Sequence, residues 1–154
     1  MNKIWKFVIS ILVSLSAGAI GGIFTISAIP TWYTTLNKPG FNPPNWLFGP
    51  AWTILYILMG IALYLVWIQD KKNKKIAYIF FFTQLVMNAL WSFIFFGAHD
   101  LGWAFVEIVV LWLAILGTTI AFYRILKPAA YLLIPYILWV TFASILNFAI
   151  WRLN

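Results

Sequence analysis

The chain has 154 residues, 64% of them hydrophobic and 20% aromatic, and its 10 basic and 3 acidic residues make only 8% of it charged. A soluble domain carries about 25% charged residues, so this chain lacks the polar surface such a domain needs, while it is far too apolar for disorder. The net charge of +7 lies in short clusters between apolar runs rather than in the continuous stripe that binds nucleic acid, and the absence of cysteine excludes disulfides, thiolate metal sites and a cysteine nucleophile.

What remains is an all-α integral membrane protein with a single transmembrane domain. A bilayer core about 30 Å thick requires about 20 helical residues per crossing, and five segments qualify: roughly 7–29, 51–68, 76–96, 101–123 and 129–151. A β-barrel would instead show alternating segments of about ten residues.

The first segment is flanked by Lys3 and Lys6, and its apolar run exceeds the h-region of a signal peptide, so it is read as a retained span. It carries Ser10, Ser14, Gly18 and Gly22, a ladder of small residues with a GxxxG pattern. Such a ladder serves a homodimer or packing within the bundle; the dimer, through Ser14, Gly18 and Gly22, is the expectation.

Residues 30–50 hold Pro30, Pro39, Pro43, Pro44 and Pro50 together with Trp32, Tyr33, Phe41, Trp46 and Phe48. Flexible linkers are rich in Gly and Ser, so this composition indicates a stiff segment that packs on something, as a lid or as an interfacial aromatic belt. Pro50 suits the first turn of the second helix, where its missing N–H costs nothing.

Amides inside a span must face protein, water or ligand. Trp52, Tyr56 and Gly60 share one face of the second segment, Gln84, Asn88 and Trp91 one face of the third, and Trp139, Ala143 and Asn147 one face of the fifth, one turn after Pro135. Each stripe alone reads as helix–helix contact; three that mix rings with small or amide side chains suggest an aromatic-walled cavity. Glu107 is the only acid well inside a span, with structural and functional roles both open, and His99-Asp100 reads as a solvated connector.

An odd number of spans puts the termini on opposite sides. Lys3, Lys6, Lys71, Lys72, Lys74, Lys75, Arg124 and Lys127 fall on the N-terminal side, and only Lys38 and Arg152 on the other. The positive-inside rule then gives a cytoplasmic N-terminus in the cell membrane, with the C-terminus and loop 30–50 external.

The run Trp32-Tyr33, Leu36-Asn37-Lys38-Pro39, Pro43-Pro44-Asn45-Trp46 and Gly49-Pro50-Ala51-Trp52-Thr53-Ile54-Leu55-Tyr56 resembles the tryptophan-rich sensory protein, or translocator protein, family, which includes the peripheral-type benzodiazepine receptors. The likeness continues through Met59-Gly60, Gln84, Asn88, Trp91, Phe95-Phe96-Gly97-Ala98, Gly102-Trp103-Ala104, Pro135-Tyr136, Trp139, Phe142-Ala143 and Leu146-Asn147. It implies a five-helix homodimer that binds porphyrins such as protoporphyrin IX, and benzodiazepine- and isoquinoline-carboxamide-type molecules, in a pocket closed by the first loop. The implied ligand-binding residues are Tyr33, Trp52, Tyr56, Asn88, Trp91, Trp103, Trp139, Ala143 and Leu146, with no metal and no required cofactor.

Sterol-binding members carry a C-terminal Leu/Val…Tyr…Lys/Arg pattern; here Phe148 stands in place of the tyrosine in Leu146–Arg152, which argues against cholesterol. The expected role is a receptor or translocator for porphyrin-like ligands. The alternatives are light- and oxygen-dependent porphyrin breakdown, with Trp52 and Trp139 as candidate catalytic rings, and a structural membrane subunit. A conducting transporter is less well supported, since Glu107 and Pro135 are its only signatures.

Overall fold

The structure, a computed structural model, describes residues 1–154. It contains α1 (Lys3–Ala28), α2 (Phe48–Trp67), α3 (Lys75–Ser92), α4 (Leu101–Ile125), α5 (Lys127–Tyr131) and α6 (Ile134–Leu153). With α5 and α6 forming one span, five segments are long and apolar enough to cross a membrane.

Local chemistry sets the ends. The Asn2 side chain accepts from the Ile4 N–H at 3.0 Å at the start of α1, and Asp100 accepts from the Trp103 N–H at 3.0 Å at the start of α4. Lysines cap the opposite poles: Lys71 Nζ donates to the Ile125 carbonyl at 2.6 Å, and Lys74 Nζ to those of Trp67 and Gln69 at 3.0 and 2.8 Å. With Lys6 over the Trp67 ring, these contacts bring the N-terminus, the α2–α3 connection and the α4–α5 turn to one end of the bundle. The eight basic residues counted from the sequence share that end.

Three elements differ from the expected plain helices. The second begins at Phe48 rather than 51, because a 3₁₀ turn over Asn45–Leu47 runs straight into it, leaving Pro50 in the first turn. The third ends in a π-helical turn over Phe93–Gly97, with the Ala98 N–H reaching the Phe93 carbonyl at 2.7 Å. The extra residue in that turn lets both Phe95 and Phe96 point inward. It resolves at His99, whose φ of 57° lies in the left-handed region. The fifth span breaks at Leu132-Leu133, because Pro135 has no N–H to continue a ladder back into α5.

α1 packs on α2 and α3, α3 on α4, and α4 on α6, while the backbones of α2 and α6 stay apart. The main core runs along the basic half of the bundle through Met59, Ala62, Val66, Phe81, Ile115, Phe122 and Val140. A smaller cluster of Ala28, Tyr33, Phe95, Phe96, Ala104, Leu146 and Ile150 gathers near the loop. Apolar side chains such as Leu12, Ile23, Ile54, Val86, Leu138 and Ile145 face outward. In hydrocarbon that exposure costs nothing, since lipid tails are as apolar as leucine.

The lower part of the small-residue ladder of α1, Ser10 to Gly18, packs inside the chain, while Gly22 borders the cavity. Ser10 and Ser14 are fully buried. A Cβ on Gly60 would stand 2.8 Å from Ile11 Cα, and one on Gly18 would stand 2.5 Å from the Tyr56 ring. Small side chains on both helices therefore set the close approach of α1 and α2, and a dimer would have to use other surfaces than Ser14 and Gly18.

Candidate functional site

Between the separated halves of α2 and α6, under the loop, lies a cavity of about 360 Å³, within the range of small-molecule sites. Its aromatic wall is built by spacing on helices. Trp52 and Tyr56, one turn apart on α2, lie nearly parallel with ring centroids 5.7 Å apart. Trp139 on α6 meets Trp52 edge to face at 6.4 Å and adjoins Phe142 at 5.7 Å. Trp91 lies against Phe95 at 5.0 Å, and Phe96 fits beside both.

The loop forms the roof. Tyr33 is buried, 2% exposed, with its ring against Phe48 and Phe96. Its hydroxyl donates to Asn42 Oδ1 at 2.6 Å, and Lys38 Nζ donates to the Tyr33 and Leu36 carbonyls at 2.7 and 3.1 Å. Burial pushes the Tyr33 phenol up to about 12. Further pins hold the loop. The Asn37 N–H donates to Asn154 Oδ1 at 3.0 Å, Asn154 Nδ2 returns a bond to the Asn37 carbonyl at 2.9 Å, and Trp32 stacks on His99 at 4.1 Å. The loop is thus both belt-like in composition and an ordered cover.

Most polar atoms around the cavity already have partners. Asn147 accepts from Trp91 Nε1 and donates to the Leu101 carbonyl, both at 3.0 Å. Behind the wall, the Tyr56 hydroxyl donates to Asn88 Oδ1, Asn88 Nδ2 donates to the Tyr136 hydroxyl at 2.8 Å, and Tyr136 donates to Gln84 Oε1 at 2.7 Å. The Trp139 indole N–H lacks a partner, but it is enclosed by protein atoms rather than open to the cavity. A flat guest would therefore be held chiefly by stacking on the rings.

Of the residues anticipated for binding, Tyr33, Trp52, Tyr56, Trp91, Trp139, Ala143 and Leu146 line the cavity. Two do not. Asn88 is buried behind Tyr56 and orients that ring through its hydroxyl. Trp103 is 67% exposed on the first turn of α4, because the inward face of that helix is set by Ala104, Glu107, Ile108 and Leu111. Glu107 lies buried outside the cavity with neither carboxyl oxygen hydrogen-bonded.

The sequence reading missed Phe48, Phe142, Phe95, Phe96 and the α1 wall of Gly21, Gly22 and Thr25. Phe142, one turn from Trp139, carried a usable spacing signal. The inward pair Phe95 and Phe96 depends on the π turn, which no periodicity reveals.

The model of the TspO/MBR family matches residues 10–152. This chain belongs to the TspO/MBR family. Tryptophan-rich protein TspO of Archaeoglobus fulgidus is 48% identical over 152 residues, covering 99% of both chains, and its namesake in Chlorobaculum tepidum is 46% identical over 160 aligned positions, covering 100% of this chain and 99% of the relative. The human translocator protein is 41% identical over 126 residues, 80% of this chain and 75% of its own. Membership in the TspO/MBR family agrees with the five apolar spans and identifies an integral membrane protein.

Proposed function

We propose that this TspO/MBR protein binds flat, largely apolar molecules in the cavity, porphyrins such as protoporphyrin IX and benzodiazepine- or isoquinoline-carboxamide-type compounds among them, and acts as a receptor or translocator. The observation that carries the reading is the edge-to-face Trp52–Trp139 pair on the wall of the cavity. A guest arriving from lipid has already left water, so selectivity must come from stacking, about 0.5–1.5 kcal/mol per aromatic pair, and from polar contacts. The names of relatives, translocator protein and tryptophan-rich sensory protein, point the same way.

The decisive measurement is the affinity for protoporphyrin IX, read from the porphyrin's own absorbance in lipid nanodiscs. Trp139→Ala removes one ring of the wall and should weaken binding by about tenfold, the equivalent of 1.4 kcal/mol. Adding Trp52→Ala should abolish it. Unchanged affinity in a folded double variant overturns the reading.

The same two oxidisable rings favour a second reading, light- and oxygen-dependent porphyrin breakdown. Equal bleaching under illumination with wild type and with the double variant removes it. For orientation we adopt a cytoplasmic N-terminus in the cell membrane, on the strength of the charge asymmetry.

A further inference from the structure

The cavity has one open side. All of its lining residues that are exposed lie on two helices: Ala19 and Ile26 of α1, and Gly49 and Thr53 of α2. This pattern follows from how α1 crosses the bundle. In its basic half α1 is pressed onto α2, where a Cβ on Gly60 would meet the α1 backbone and Phe7 meets the Tyr64 ring edge-on at 5.3 Å. Contact persists up to Gly18, which lies against the Tyr56 ring. Beyond that point α1 turns its packing to the third span: a Cβ on Gly21 would come 2.9 Å from Ser92 Oγ, and Phe24 packs edge-on against Phe93 at 5.1 Å. A slot is left between α1 and α2 at the depth of Trp52 and Tyr56. Beside it stand Ile23 and Ile54, 71% and 58% exposed, so it opens onto hydrocarbon rather than water.

The roof, by contrast, is fastened. The Asn37–Asn154 bonds tie it to the end of α6, Trp32 is stacked on His99, and the Tyr33 and Lys38 bonds brace the loop internally. Passage through it requires breaking these contacts and bringing an apolar guest through water. Passage through the slot requires neither.

We propose that the slot between α1 and α2 is the entrance to the cavity, and that it admits apolar aromatic molecules sideways from the lipid leaflet while the loop stays closed. This rests on the cavity being the binding site proposed above. Gly18 is the sill of the entrance and Ala19, Gly22 and Thr53 are its jambs.

The chain contains no cysteine, so thiol chemistry can be placed at will. Ala19→Cys and Thr53→Cys, each folded in nanodiscs and only then labelled, would carry thiosulfonate adducts of increasing size. Protoporphyrin IX delivered from donor vesicles is followed by quenching of tryptophan fluorescence. The expected result is that association and dissociation both slow as the adduct grows, by about tenfold for a benzyl-sized group. In a separate Asn37→Cys/Asn154→Cys variant, bridged by a short bis-maleimide, both rates should stay within about twofold of the unbridged protein. Bulky adducts that leave the rates unchanged, or a bridged loop that slows them about tenfold, overturn the entrance while the binding site stands. No quenching in the unmodified protein removes the binding site and the entrance together.

Discussion

Two glycines of α2 show how much a single position depends on its surroundings. Gly60 faces the α1 backbone, with Ile11 Cα 2.8 Å and the Ser10 carbonyl oxygen 3.0 Å from where a Cβ would stand; Gly49 has nothing within 4 Å. Backbone cannot swing aside as a side chain can, so Gly60→Ala must push the helices apart, at about 1–3 kcal/mol. Gly49→Ala meets no neighbouring helix, and its cost is confined to the crowding of a Cβ before Pro50, so it should fall well below that of Gly60→Ala. Thermal melts in one detergent should therefore separate the two variants clearly, and equal melting temperatures would refute the account. Residue type alone could not distinguish these positions. It did mark Asn88 as a residue needing partners, but its partners are two tyrosine hydroxyls rather than a guest, because the Tyr56 ring stands between it and the cavity.

At the scale of the element, the loop is where composition and contacts agree best. Prolines stiffen residues 30–50, the Lys38 bonds brace the segment from within, and the Asn37–Asn154 bonds give it one resting place. Tyr33 couples that closure to pH. Its phenol ionises near 10 when free and at about 12 when buried under the closed loop. The closed state thus binds a proton more firmly than the open one. Its stabilisation is fully present below about pH 10 and is lost as pH rises through about 12. The loop should open across that window, seen as tyrosinate absorbance appearing together with faster proteolysis between Pro39 and Pro44. Tyr33→Phe should remove the alkaline step, and a step of equal size in that variant would exclude Tyr33 as its source. The π turn ending the third span is the opposite case. Its residues Phe93–Gly97 read as ordinary helix because all are apolar or small, and only the packing of Phe95 and Phe96 against Trp91 and the loop explains the extra residue.

For the whole molecule, the arrangement of charge is the property that reaches beyond any one contact. Eight basic residues at the N-terminal end face two at the other, and two of the eight, Lys71 and Lys74, cap helix carbonyls there. A C-terminal fusion to a reporter active only outside the cytoplasm should be active, and a fusion in the α2–α3 connection should be inactive. The reverse pattern would invert the orientation proposed here. Span number, span length and charge asymmetry were legible from the sequence because each is set by hydrophobicity along the chain against a slab of known thickness. The aromatic stripes were legible too, because helical periodicity gathers side chains on one face whatever the neighbouring helix is. Which stripe meets which is a different matter. The cavity exists because α2 and α6 stand apart while α1 leaves α2 for α3 at Gly18, and the small-residue ladder that suggests a dimer lies inside up to Gly18 because α2 packs on it there. Trp103 faces outward for a related reason: its position one residue before Ala104 turns it away from the core by the pitch of the helix. Such choices rest on close contacts between residues distant in sequence, a long-range property that local pattern does not encode.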